Sequence, residues 1–460
     1  MYLTFLRVAF DYYSLPFSKE GSQRSLAWQC MLKNTTYRLD KTADRQASIG
    51  FRVLYRTVKR MRSGQPAELS FGNRNSHVFY DANHNNADLK KAYILAHRGV
   101  EPSAFLSKET IVTYLNTPLL VLLYCLVSAP LAFACAIVKR NRTNRALHIA
   151  HLAEATALIV YLKKSPNCSL YDFAPYHIDS NWLFTLASPL TKEYVKLPSP
   201  GPLTTHHSTL LCDVLVVSSA YQEFELARLK NIRYKKIEKW LVERALSYIH
   251  LYSSGDFEQP KKSTIGYYSH ASWLRAQANH REIGFNILES EETLLSALAE
   301  FLNEHNEFKL TLFLHPRERK SDRMEQTITY YSRFIPRELF EIADSTLPSA
   351  LSFHRVDISV SALSTILFER LFSGFKTLIW NYGMTTFPYE DSELVNISVS
   401  DKAALTKRLL EASRETTDSF FENNGLHGYR YTAYPYFVNH QAYFISAADT
   451  VNDAVTQPVQ

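Results

Sequence analysis

From Ser263 to about residue 415 the sequence alternates short apolar runs with amphipathic stretches so regularly that few folds can hold it. TIGYYS reads as a strand, and ESEETLLSALAEFLNEHNE (289–307) as a helix. That helix has glutamates in its early turns, where the helix dipole favours anions, and an apolar face of Leu294, Leu295, Leu298 and Phe301. KLTLFLHP, LFEIAD, DISVSA and KTLIWN read as further strands, and SDRMEQTITYYSRF, LSTILFERLFSG and DKAALTKRLLEASRE as helices, with Gly374 as the C-terminal stop of the second. Strand and helix in turn at this spacing predict a parallel sheet with helices on both faces.

The first half sketches the same pattern less clearly. NRALHIAHLAEATALIVYLKK (144–164) is spaced as a helix, and SLYDF (169–173) reads as a short strand ending in an acid. WLFTLA follows, then a proline-rich connection around 197–203 and a buried strand, CDVLVVSSA (212–220); residues 221–254 read as a charged helical link. The expected fold is therefore α/β, with two Rossmann-like domains facing across a cleft. The expected divisions are a basic, membrane-facing N-terminal region that forms part of the first domain (1–109) and a hydrophobic segment (110–142). An N-terminal Rossmann-like acceptor domain (143–232), a helical linker (233–262), a C-terminal nucleotide-binding Rossmann-like domain (263–424) and a tail (425–460) follow.

Charge is unevenly placed. Of 51 Lys+Arg and 45 Asp+Glu, residues 1–109 hold 17 and 9, so the +6 excess lies at the front. No aromatic-interleaved basic module accompanies it, so an anionic membrane surface is the expected partner and nucleic acid is not. Residues 43–62 place Ile49, Val53, Leu54 and Val58 on one helical face among arginines and lysines, which suits either a lipid surface or a solvated helix packed on the domain. Residues 63–90 read as loop. No charge occurs from Thr110 to Val138, and Lys139, Arg140, Arg142 and Arg145 follow at once. That length fits a membrane-embedded or re-entrant helix, a single span or a buried core element, and Pro118 and Pro130 interrupt it. Arg7 and Asp11 inside the apolar N-terminus argue against a secretory signal. The five cysteines are odd in number and never spaced C-x-x-C, which argues against a disulfide framework or structural zinc and for a reducing compartment. The phosphate loops G-x-G-x-x-G and G-x-x-x-x-G-K and the G-x-S-x-G elbow are absent.

In open parallel sheets ligands sit at the carboxyl ends of the strands, and several polar residues fall there. LTLFLHPRER (310–319) ends an apolar strand in His315 and Pro316; the proline has no N–H to extend the ladder. A strand-end histidine is either a hydrogen-bonded loop residue or a ligand to a phosphate. Glu318 is a candidate orienter of His315, while Arg317 and Arg319 read as the solvated start of the next helix. In SVSALSTILFERLFSG (359–374), Ser361 ends a strand and Ser364 and Thr365 begin a helix, where hydroxyls and free N–H groups cap the helix or bind an anion. Glu369, a turn further on, is a candidate acceptor for ribose hydroxyls or a surface ion-pair partner. In IGYYSHASWLR (265–275) Ser269, His270 and Ser272 end the strand in the same manner, and Arg275 on the following turn suits either an acidic sugar or phosphate or a surface ion pair. Asp172, and after it Asp179, are the candidate bases of the first domain, against a turn-capping role for each around Pro175. No D-x-D run appears, so a metal-bound diphosphate is not indicated.

The HP pair at a strand end, followed by a Ser/Thr-rich strand-to-helix turn, resembles the GT-B glycosyltransferases that use CMP-activated sugars, the bacterial sialyltransferases and polysialyltransferases. The resemblance covers about residues 263–415. It implies that His315 and Pro316 meet the CMP moiety and that Ser364 and Thr365 hold its phosphate. It also implies a donor nucleotide sugar as substrate, no separate cofactor or metal, and a glycan or lipid-linked glycan acceptor in surface polysaccharide synthesis at the cytoplasmic face of the plasma membrane. The paired acids followed by glycine that hold the base in that group are absent here. The polyglycerol-phosphate transferases, which use CDP-glycerol, share a similar histidine and Ser-rich turn. A non-catalytic GT-B-like subunit of a polysaccharide assembly complex is the third reading.

Overall fold

The computed structural model describes residues 2–39, 76–81, 87–107, 111, 145–173, 180–198, 209–218, 220–229, 231–240, 248, 251–252, 255, 257–277, 286–344, 347–362, 364–384 and 389–431. The amphipathic stretch 43–62, most of the hydrophobic segment 110–142 and the tail beyond Tyr431 lie outside them. No helix among the described residues is long and apolar enough to cross a membrane.

The chain forms two compact units, each built on a six-stranded parallel sheet of Rossmann type, the α/β class expected from the alternation. The first contains residues 1–198, 203–217 and 226–240; the second contains 199–202, 218–225 and 241–460.

In the first unit β1 (His77–Asp81), β2 (Ala104–Ser107), β3 (Ser169–Asp172), β4 (Glu193–Lys196), β6 (Val214–Val217) and β8 (Lys236–Lys239) run in the order 2-1-3-4-6-8. A two-stranded ribbon of β5 (Leu210–Leu211) and β7 (Ile232–Arg233) stands apart. Residues 1–109 thus supply β1 and β2 to this unit. HVFYD, inside the stretch read as loop, is β1, paired with β3 in the middle of the sheet. Such a strand is buried on both faces and carries no alternation to announce it. KIEK, read as part of a helical link, is the edge strand β8, with three of its four residues exposed, which gives it a surface-helix composition. WLFTLA lies in the helix Ser180–Ala187. The N-terminal helix Tyr2–Ser14 buries Phe5, Val8, Ala9 and Tyr12 in this unit's core. It is pinned there by Trp182, whose Nε1 donates to Asp11 at 3.1 Å.

In the second unit β9 (Thr264–Tyr268), β10 (Lys309–Phe313), β11 (Phe340–Ile342), β12 (Ile358–Ser361), β13 (Thr377–Trp380) and β14 (Ser398–Val399) run in the order 11-10-9-12-13-14. The chain winds outward from β9 through β10 and β11, then returns to lay β12, β13 and β14 on the other side. The order thus reverses between β9 and β12, the switch point at which such sheets bind ligands. Gly266 permits the packing of central β9: a Cβ there would fall 2.7 Å from Val356 Cγ2. The helix Ile287–Glu304 is capped by Asn286, which accepts from the Glu289 N–H, and is tied to β13 by the Trp380 indole donating to the Ser290 carbonyl at 2.9 Å. The helix Thr365–Phe372 ends as expected at Gly374, whose φ of 87° is the left-handed conformation that glycine adopts without strain.

Candidate functional site

The ends of β10, β9 and β12 are level, with Phe313 opposite Tyr268 and Val360 opposite Tyr267. The three loops that leave them rise side by side around the switch point. His315 and Pro316 occupy the first two positions of a tight turn closed by the Glu318 N–H donating to the His315 carbonyl at 2.8 Å. Proline is favoured at that second position because its fixed φ suits the turn. The Arg317 N–H donates to His315 Nδ1 at 3.2 Å, so the ring proton resides on Nε2. Among the described residues Nε2 has no protein partner. Burial, and then the cations Arg275, Arg317, His270 and Arg319, push the imidazole down to about 4. It is therefore a neutral N–H donor at physiological pH.

The loop after β9 turns at Ala271, a non-glycine residue at φ 53°, held by its N–H donating to Ser269 Oγ at 2.9 Å. Left-handed backbone at such a residue is costly and gathers where loops are fixed for function. His270, buried in this loop, sets Nε2 3.4 Å from the carbonyl of Ala362 across the switch point. On the third loop Ser364 is the N-cap of Thr365–Phe372 with extended backbone but makes no side-chain bond to its own helix. Its hydroxyl and the first helical N–H groups are thus left for another acceptor, and the helix dipole favours an anion there.

Behind these loops lies a closed polar core. Glu318 is fully buried and accepts from the His315 N–H (2.9 Å), Trp273 Nε1 (2.8 Å) and the Tyr331 hydroxyl (3.1 Å). Glu291 accepts from Tyr267 (2.6 Å), Ser272 (3.0 Å) and Tyr330 (3.1 Å). Burial raises both carboxyls, Glu291 to about 7, with the neighbouring Glu318 adding to the rise and the donors opposing it.

The structure thus brings His315, Ser364, Thr365 and Arg275 to one end of one sheet, with the ring of Pro316 exposed at the turn. Three expected ligands are turned inward instead. The Ser361 hydroxyl is enclosed and donates to the Tyr268 carbonyl at 2.5 Å, locking β12 to β9. Ser269 Oγ accepts from the Ala271 N–H at 2.9 Å and lies 2.7 Å from the Tyr331 hydroxyl. Glu369 is fully buried; neighbouring Arg370 is also buried and spends its donors on the carbonyls of Phe353, Val356, Asp357 and Lys376. Arg319 is not solvated either: its guanidinium donates to the carbonyls of Leu314 and Leu347 and to Ser349 Oγ.

In the first unit Asp172 ends β3 as predicted, but its carboxylate is fully enclosed and accepts from Ser180 Oγ (2.7 Å) and the Tyr194 hydroxyl (3.0 Å). A carboxylate so satisfied and so buried holds the strand to its helix and does not reach a substrate proton. Asp179 lies outside the described residues. Among the described residues no group of three or more His, Cys, Asp or Glu is placed to hold a metal ion. Trp273 is legible only as a neighbour of the strand-end residues Ser269, His270 and Ser272; the left-handed turn at Ala271 has no glycine to announce it.

No family model matches the chain, and no curated protein matches it. Among solved structures it is similar to an O-GlcNAc transferase of Thermobaculum terrenum, at 12% identity and a TM-score of 0.41 over 87% of this chain and 75% of that one. It is also similar to the wall teichoic acid polymerase TagF (10%, 0.40, 90% and 98%). A third is the UDP-N-acetylglucosamine 2-epimerase of Rickettsia bellii (11%, 0.42, 83% and 99%). Scores of this size leave the class of the molecule to its own geometry: two parallel α/β units, the second with His315 and the N-terminus of the helix Thr365–Phe372 on loops at its switch point.

Proposed function

We propose that the chain is a GT-B glycosyltransferase whose second unit binds the donor nucleotide at the ends of β9, β10 and β12. One observation carries this: a neutral imidazole N–H on one loop and an uncommitted helix N-terminus on another stand at the same sheet edge. β10 and β12 are two strand spacings apart, about 10 Å.

In the proposed reaction the leaving phosphate gains charge as the bond to the sugar breaks. His315 Nε2–H and the helix N–H groups at Thr365 stabilise that charge, and Arg275 adds a cation beside them. The resemblance of the HP and Ser/Thr turns favours a CMP-linked acidic sugar; the CDP-glycerol donors are the second reading, favoured by the same residues. Asp179 is the first-unit carboxylate proposed to take the acceptor's proton, since Asp172 is enclosed. A membrane-surface location is proposed with it. The N-terminal region bears the cationic excess, and the outer side of its first helix and following turn exposes Leu3, Phe10 and Phe17 beside Arg7.

The test is thermal stabilisation of the full chain by a nucleotide panel. CMP or CDP is expected to raise the melting temperature above that with UMP, AMP or inorganic phosphate. A flat response across the panel removes the donor assignment. Cosedimentation with vesicles containing phosphatidylglycerol, lost in Phe10→Ser/Phe17→Ser, checks the location separately.

A further inference from the structure

We infer that Glu318 is the positioning residue of this site, a buried carboxylate that locks the loop after β10 to the loop after β9 and so fixes which nitrogen of His315 carries the proton. The inference rests on His315 being the donor of the proposed function, but its own readout does not require a ligand.

Glu318 and His315 are bound reciprocally. The Glu318 N–H closes the His-Pro turn on the His315 carbonyl, while the Glu318 carboxylate accepts the His315 N–H at 2.9 Å. Residue 315 is thus held by both backbone groups. The same carboxylate reaches the loop after β9 through Trp273 Nε1 at 2.8 Å, and the helix Met324–Ser332 through the Tyr331 hydroxyl, which also contacts Ser269 Oγ at 2.7 Å. One enclosed carboxyl group therefore gathers donors from three elements. It does not touch the imidazole. Its effect on the ring passes through the turn: only while the turn is closed does the Arg317 N–H point at Nδ1, and that bond assigns the proton to Nε2.

A merely structural carboxylate affects stability alone; a positioning one also changes the ring. The imidazole nitrogens of His315 are read by 15N-labelled histidine NMR on the full chain near pH 7, assigned with His315→Gln. The wild type is expected to show the Nε2–H form alone. Glu318→Ala is expected to give the averaged shifts of mixed tautomers, and Glu318→Gln, which keeps one acceptor oxygen, an intermediate pattern. Glu291→Gln serves as control, since it alters a buried carboxylate that has no bond to the His-Pro turn; it is expected to leave the ring signals unchanged. If Glu318→Ala does not fold, Glu318→Gln carries the test. Wild-type tautomer shifts in the Glu318 variant overturn the inference, as does an equal change in Glu291→Gln. In parallel, Glu318→Ala is expected to weaken CMP or CDP binding about tenfold. Failure of the wild type to bind either nucleotide sinks the proposed function while the tautomer result still decides the role of Glu318.

Discussion

The two sheets place a titratable side chain at the same landmark and use it in opposite ways. Asp172 closes β3 beside the first unit's switch point between β1 and β3, and His315 leaves β10 one strand from the switch point of the second. Asp172 is enclosed by Ser180 and Tyr194, which donate to it, so its charge holds the sheet to the helix Ser180–Ala187. His315 is half-buried, held by its backbone and by one ring nitrogen, and keeps the other free of protein partners among the described residues. A position at a strand's carboxyl end therefore does not make a residue a ligand. What distinguishes the two is where the local donors go: at Asp172 they converge on the side chain, and at His315 they converge on Glu318 behind it.

The largest expected effect breaks the first half of that comparison. Asp172→Ala leaves two buried hydroxyls without their acceptor and costs about 3 kcal/mol of stability in the first unit. Urea unfolding followed by tryptophan fluorescence and circular dichroism measures it, and nucleotide affinity is expected to stay at the wild-type value. A mild loss of stability with abolished transfer would return Asp172 to the role of base.

The pH response sharpens the second half. The folded His315 is depressed to about 4, below the ordinary 6.5, so it binds its proton less readily in the fold than in the unfolded chain. Its contribution to stability is present above 6.5 and lost as pH falls towards 4. NMR titration of the free protein is expected to show a His315 midpoint near 4, and His315→Ala to flatten the stability profile between pH 6.5 and 4. Glu291 has the opposite sign. Raised to about 7, it stabilises the fold as the neutral acid below 4.5, and that contribution is lost as pH rises through 7. Glu291→Gln is accordingly expected to gain on the wild type in chemical denaturation above pH 7.

The smallest expected effect concerns the loop between these groups. Ala271→Gly relieves the left-handed strain but enlarges the unfolded ensemble, so the melting temperature shifts by only a degree or two, equivalent to about 0.5 kcal/mol. Ala271→Val cannot relax and is expected to destabilise by about 1–2 kcal/mol.

The second unit was legible because each of its elements satisfies the physics locally. Leu294, Leu295, Leu298 and Phe301 mark one helix face, and the apolar run of β10 stops at His315 and Pro316 just past the strand's end. The first unit was less so. Its inner strand HVFYD is short and sits in a polar stretch, and its edge strand KIEK has exposed charged residues that mimic a helix surface. Within the site, composition at strand ends found His315, Ser364, Thr365 and Arg275. It also chose Ser361, Ser269 and Glu369, whose side chains turn inward, because strand-end spacing does not tell which way a hydroxyl or carboxylate points. Glu318 stood in the sequence as a possible aid to His315, but its bonds to Trp273 and Tyr331 come from residues 45 and 13 positions away. No local pattern carries them.

The central claim is that the loops at the ends of β9, β10 and β12 bind a nucleotide phosphate through His315 and the Ser364 turn. Isothermal titration of CMP and CDP into the wild type, His315→Ala, Ser364→Ala and Asp172→Asn tests it directly. Removing the His315 donor is expected to weaken binding tenfold or more, equivalent to about 1.4 kcal/mol, and Ser364→Ala to weaken it severalfold, with Asp172→Asn unchanged. Equal affinities in the wild type and His315→Ala, or a loss confined to Asp172→Asn, would contradict it.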